Sequence, residues 1–127
     1  MKTHRLCVTI FLLYSFIAQA QEHFINNTRR DVFVELTYSS GKTHAFKLYG
    51  DSNEDIDRKG KDCLTHISMI YGETARIITG QNNRKHVKHG EIFFDEDFES
   101  NKKTCSNYQF EVTREKGEFK VEWIKLK

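Results

Sequence analysis

The chain has 127 residues, of which 38% are hydrophobic, 30% charged and 13% aromatic, with three cysteines and no proline. That balance is too apolar for a disordered chain, the length is that of one domain, and a polyproline ligand segment is excluded. The formal charge is +2, and leaving Lys2 and Arg5 out of the 20 basic residues gives 18 against 18 acidic ones. The rest of the chain therefore has no net field to gather nucleic acid or anionic lipid.

Lys2, His4 and Arg5, the apolar run 6–17, and Ala18-Gln19-Ala20 follow one another as the parts of a secretory signal peptide do. Cleavage is expected before Gln21, leaving 21–127 as a single domain. The apolar run is short for an anchor, and no stretch of about 20 apolar residues follows it, so no membrane span is expected after processing. The expected location is secreted or periplasmic. Cys7 leaves with the signal, and the remaining pair, Cys63 and Cys105, is expected to form a disulfide. Asn26-Asn27-Thr28 fits the glycosylation sequon, which matters only in a eukaryotic host.

Glycines 41, 50, 60, 72, 80 and 90 recur every 8–12 residues, the spacing of turns between short antiparallel strands. Val32, Val34, Leu36 and Tyr38 alternate with Phe33, Glu35 and Thr37, and after Ser39-Ser40-Gly41 the set His44, Phe46 and Leu48 alternates with Thr43, Ala45 and Lys47. A three-residue hairpin with Gly41 in the left-handed position sets Val34 opposite Phe46 and Val32 opposite Leu48. The stretch 51–61 has only Ile56 as an apolar residue and reads as a loop. Residues 63–71, 74–79 and 91–94 read as strands partly apolar on both faces, with a basic loop at 84–89 before the third and an acidic one at 95–99 after it. Tyr108, Phe110 and Val112 lead to a turn at Lys116-Gly117, and Phe119, Val121 and Trp123 return. That register places Glu111 opposite Glu122, an unfavourable pair.

The expected fold is an all-β sandwich of seven or eight strands in two antiparallel sheets, immunoglobulin-like in the broad sense, with the cysteines stapling the fourth strand to the seventh. Trp123 follows both cysteines, unlike the order in a true immunoglobulin domain. Val32, Val34, Leu36, Phe46, Leu48, Ile67, Phe110, Val112, Val121 and Trp123 are expected in one core.

No nucleophile elbow, zinc-protease helix, phosphate loop or dinucleotide turn is present, and no cofactor is expected. His44 or His66 with a lysine is what a small secreted hydrolase could use. His86 and His89 could share a metal with Glu91 or Asp95, although the surrounding cations oppose it. The run 95–99 lacks the spacing of a calcium loop. The leading expectation is an exported, non-enzymatic protein-interaction module, a cell-envelope subunit or a secreted factor, that binds a protein through an edge strand or loops. The alternative is a small-ligand or metal-binding domain using the 84–99 loop region. In the last strand Ile124 and Leu126 fall on the polar side, flanked by Lys125 and Lys127. They are either an interface or are covered by the segment 51–61 or by that around Phe24 and Ile25.

Overall fold

A computed structural model describes residues 21–57 and 62–126. The expected signal peptide at 1–20, the turn at Gly60 and Lys127 lie outside the described residues. In chain order the strands are β1 (Gln21–Asn26), β2 (Val32–Tyr38), β3 (Thr43–Leu48), β4 (Ser52–Asp57), β5 (Leu64–Tyr71), β6 (Arg76–Thr79), β7 (Lys85–Lys88), β8 (Glu91–Asp97), β9 (Asn107–Glu115) and β10 (Glu118–Leu126). A single helical turn, Asn101–Thr104, separates β8 from β9.

Two four-stranded sheets pack face to face: sheet A in the order β10-β9-β1-β4, sheet B in the order β3-β2-β5-β8. Their inward side chains build one core from Phe24, Val32, Val34, Leu36, Leu48, Leu64, Ile67, Met69, Phe98, Phe110 and Val112. The fold is thus the all-β sandwich that period-two alternation and the turn spacing imply. Both expected hairpin registers are present, with Val34 opposite Phe46 and Val121 opposite Val112. Gly41 has φ of +90°, and its N–H donates to the Tyr38 carbonyl to close the first hairpin.

Three segments differ from the sequence expectation and bring the count to ten strands among the described residues. The stretch 51–61 is not all loop, because β4 pairs with β1 along six residues. An edge strand needs only one inward contact, which Ile56 supplies. β1 lies parallel to β9, with Phe24 beside Phe110. The segments 84–89 and 95–99 are largely strand rather than loop: β7 pairs with β6, and β8, expected at 91–94, continues to Asp97 along β5. A bulge between Met69 and Ile70 leaves Phe93 as the extra residue of β8. Phe93 stacks on Phe119 while Phe94 meets Phe110, so two consecutive phenylalanines reach the interior. Trp123 is a further correction, since it lies at the margin of the core and is 39% exposed. It occupies an inward position of an outermost strand, where only one side is packed.

The disulfide joins Cys63 to Cys105 with Cα atoms 4.9 Å apart. Neither cysteine lies inside a strand, so the bridge does not staple two strands directly. Cys63 precedes β5, and Cys105 follows the helical turn in left-handed backbone. The wholly buried Asn101 donates to the Leu64 carbonyl and accepts from the Ser106 N–H. Bridge and amide together anchor the crossover from sheet B to sheet A.

Asn26 is also wholly buried. Its amide donates to the carbonyls of Arg30 and Leu48, and its Oδ1 accepts from the Thr28 N–H and hydroxyl. The sequon is therefore a structural turn, with its acceptor nitrogen held inside the fold.

Candidate protein-interaction surface

The last hairpin turns at Lys116 and Gly117, both with positive φ, 51° and 81°, as a two-residue type I′ turn requires. Glu115 and Glu118 flank it, and in such a hairpin the flanking residues form a hydrogen-bonded pair. Pairs then alternate, so Lys120, Glu122 and Ile124 bond to β9. Phe119, Val121, Trp123 and Lys125 aim their N–H and C=O groups away from it. β9 lies on one side of β10 only, leaving those groups along an open edge.

The side chains divide by parity. Phe119 points inward, stacked on Phe93 at 4.7 Å and beside Tyr71 at 4.9 Å, with the Arg114 guanidinium 4.8 Å above its ring. Trp123 meets Phe98 at 4.9 Å and Tyr108 at 5.8 Å. Outward, Ile124 stands beside Gln109 and is 54% exposed. Leu126 is half-buried beside Asn107, and Lys125 falls opposite Tyr108. Among the described residues neither expected cover is in place, because β4 is at the far edge of sheet A and Phe24 is in the core. Ile25 sits on β1, beyond β9.

Lys120 pairs with Glu115 at 2.6 Å. That hydrogen bond and charge lower the Glu115 pKa and raise that of Lys120. Glu122 faces Glu111 across the ladder, and Glu111 accepts a hydrogen bond from the Asn27 amide. The other edges are blunted in the ways edge strands usually are. β4 carries Glu54, Asp55 and Asp57, β8 carries Glu91, Asp95, Glu96 and Asp97, and β7 packs against β3.

On the outer face of sheet B, His66 on β5 meets β8. Its Nδ1 lies 2.5 Å from Asp97 Oδ1 and its Nε2 2.7 Å from Asp95 Oδ1. The Ser68 hydroxyl is 3.2 Å from Nε2 but donates to that same Asp95 oxygen at 2.8 Å. Serine, histidine and aspartate are thus in reach of one another, yet the Ser68 hydroxyl donates to Asp95 Oδ1 and not to Nε2, so the histidine is not placed to take the serine proton. The cluster clamps β8 to β5. Sequence reasoning gave His66 no such partners. The signal available was the matched spacing of His66/Ser68 and Asp95/Asp97, each two apart on strands.

Burial tends to lower the His66 pKa, but the Asp97 hydrogen bond and the charges of Asp95 and Asp97 outweigh it and raise the pKa above 6.5. The stabilisation is complete below the unfolded value and is lost as pH rises through the higher folded value. Urea unfolding should show wild type ahead of His66→Gln by about 0.5–1 kcal/mol at pH 6, shrinking towards pH 9. An advantage independent of pH would show that charge is not involved. His44 has the opposite sign: burial and the Lys85 charge lower its pKa, so its contribution is lost as pH falls. It stacks on Phe46 at 5.6 Å, on the opposite face of sheet B from His66, so the two histidines do not meet.

His86 and His89 go to separate partners. His86 Nδ1 is 3.4 Å from Glu35, whose other oxygen accepts the Val87 N–H, and His89 Nε2 is 3.4 Å from the Arg76 guanidinium. Among the described residues no group of three or more His, Cys, Asp or Glu side chains is arranged to hold a metal. Nor is any described helix long and apolar enough to cross a membrane. No protein-family model, curated protein or solved structure matches the chain.

Proposed function

We propose that the chain is an exported, non-enzymatic protein-interaction module, a cell-envelope subunit or secreted factor, that docks a partner along the open edge of β10. The observation that carries this reading is the edge itself. It is nine residues long, with four residues presenting unpaired backbone groups and with Trp123 and Ile124 exposed at its margin. Such an edge accepts a partner's strand through main-chain hydrogen bonds, while the neighbouring side chains set specificity. The signal-like segment at 1–20 and the disulfide support export.

The test is affinity purification of the tagged protein from its own organism, beside two variants. Ile124→Ser with Leu126→Ser removes the apolar patch. Lys125→Pro removes an outward N–H without breaking a bond to β9. Both should leave the melting temperature within a few degrees and abolish recovery of the partner. A fall of many degrees would place these residues in the fold, and undiminished recovery would move the interface elsewhere.

A further inference from the structure

We infer that the cleft between the β2–β3 turn and the β6–β7 turn binds an acidic sugar, with its anionic group on Lys42 and Arg84 and its hydroxyls on the carboxamides of Asn82 and Asn83. The β6–β7 hairpin packs on β3 and β2, at the opposite side of the sandwich from β10, which contacts β8. The inference is therefore independent of the docking edge.

Both turns are fixed by their own backbones. In the first, the Gly41 N–H donates to the Tyr38 carbonyl and the Lys42 carbonyl accepts from the Tyr38 N–H. In the second, the Arg84 carbonyl accepts the Gly80 N–H at 2.6 Å, and the Arg84 N–H donates to the Gln81 carbonyl. Asn82 and Asn83 are left-handed there, with φ of 59° and 58°, a conformation asparagine tolerates better than most residues. A methyl group at Gly41 would stand 3.5 Å from the Arg84 guanidinium, so that side chain reaches across to the first turn. The space between the turns is about 450 Å³, with Lys42, Thr43, Asn82, Asn83 and Arg84 in its wall. That is within the size range of small-ligand sites.

The wall has polar groups in want of partners. No carboxylate lines it among the described residues, whereas Asp55, Glu91 and Asp31 line the clefts beside His44, His89 and Lys47. Asp62 bonds to Ser40 but does not line the cleft. Neither Lys42 nor Arg84 is in an ion pair, and neither carboxamide has a hydrogen bond within the chain. The Thr43 hydroxyl is buried without a partner. The chain is nearly neutral, but between Gly72 and Gly90 stand Arg76, Arg84, Lys85 and Lys88 against Glu73 alone. An anion thus meets a locally positive field, focused by the cleft.

The same residues select the kind of anion. A guanidinium fork beside an ammonium group suits a carboxylate or sulfate. Carboxamides both donate and accept, as sugar hydroxyls do, and a bare oxyanion would leave them idle. No Phe, Tyr or Trp lies between Gly72 and Gly90 or lines the cleft, so a nucleobase finds no ring to stack on.

Amide NMR of the purified protein, titrated with glucuronate, glucose, inorganic sulfate and uridine monophosphate, tests this. Glucuronate should shift the amides of 40–43 and 80–84 and bind about tenfold more tightly than the other three. Arg84→Gln and Lys42→Gln should each weaken it about tenfold. Asn82→Gly with Asn83→Gly keeps the left-handed backbone and should reduce glucuronate to the affinity of sulfate. Unchanged amide shifts away from the two turns verify that the variants are folded. A uronic acid oligosaccharide that binds more tightly than the single sugar assigns the site to an acidic polysaccharide, and equal binding assigns it to a free or terminal sugar. No shifts at the two turns, sulfate or the nucleotide bound as tightly as glucuronate, or an affinity indifferent to both cation variants would each overturn the inference.

Discussion

Phe110→Ala should lower the free energy of unfolding by about 3–5 kcal/mol, the range for deleting a fully buried aromatic ring. Phe110 has no exposed surface and stands at the meeting point of both sheets. It stacks on Phe24 at 5.2 Å and touches Phe94, Phe98 and Tyr108 at 6.1–6.4 Å between ring centres. The site cannot readily collapse around alanine, because β9 is fixed by β10 on one side and β1 on the other. Denaturant unfolding measures the loss, and a value below about 1 kcal/mol would mean that the surrounding rings refill the space.

Removing the disulfide by Cys63→Ala with Cys105→Ala should be of similar size. The bridge closes a loop with a sequence separation of 42, and loop-closure entropy at that length amounts to about 4 kcal/mol. For a domain of this size that is a fall in melting temperature of about 15 °C or more. Melting with and without reductant, beside the double variant, gives the number. The unreduced mature protein, residues 21–127, should show no free thiol when unfolded. A drop of only a few degrees would assign the anchoring of the crossover to the Asn101 hydrogen bonds instead.

The two hairpins were legible because turn chemistry and side-chain parity agree there. Gly41 and the Lys116-Gly117 pair set the loops, and Val32 to Leu36 and Tyr108 to Val112 then have one possible inward face. β4 was not legible, since five of its six residues, all but Ile56, are polar or acidic. β1 was hidden for a different reason: its inward positions are Glu22, Phe24 and Asn26, two of them polar, so the alternation signal vanishes. The segments around 84–89 and 95–99 read as solvated loops because strands that face water on one side can carry as much charge as a loop. At the candidate edge, sequence parity was enough to mark Ile124 and Leu126. The openness of β10 depended on sheet order, which pairs β9 with β1 across most of the chain and leaves no local trace.

That same sheet order dictates when the fold can be completed. β1, the first described strand, needs β9, which is among the last, before its second side is paired and Phe24 meets Phe110. β2, β3 and β5 can associate much earlier from nearby segments. The pairings of β2 with β3 and β5 therefore need less chain than the closure of sheet A, and the Cys63–Cys105 bond needs the helical turn to reach β5. Folding dominated by such distant pairings falls in the millisecond-to-second range rather than microseconds. Until β9 is in place the half-paired β1 offers an unoccupied strand edge, the kind of edge from which aggregation starts.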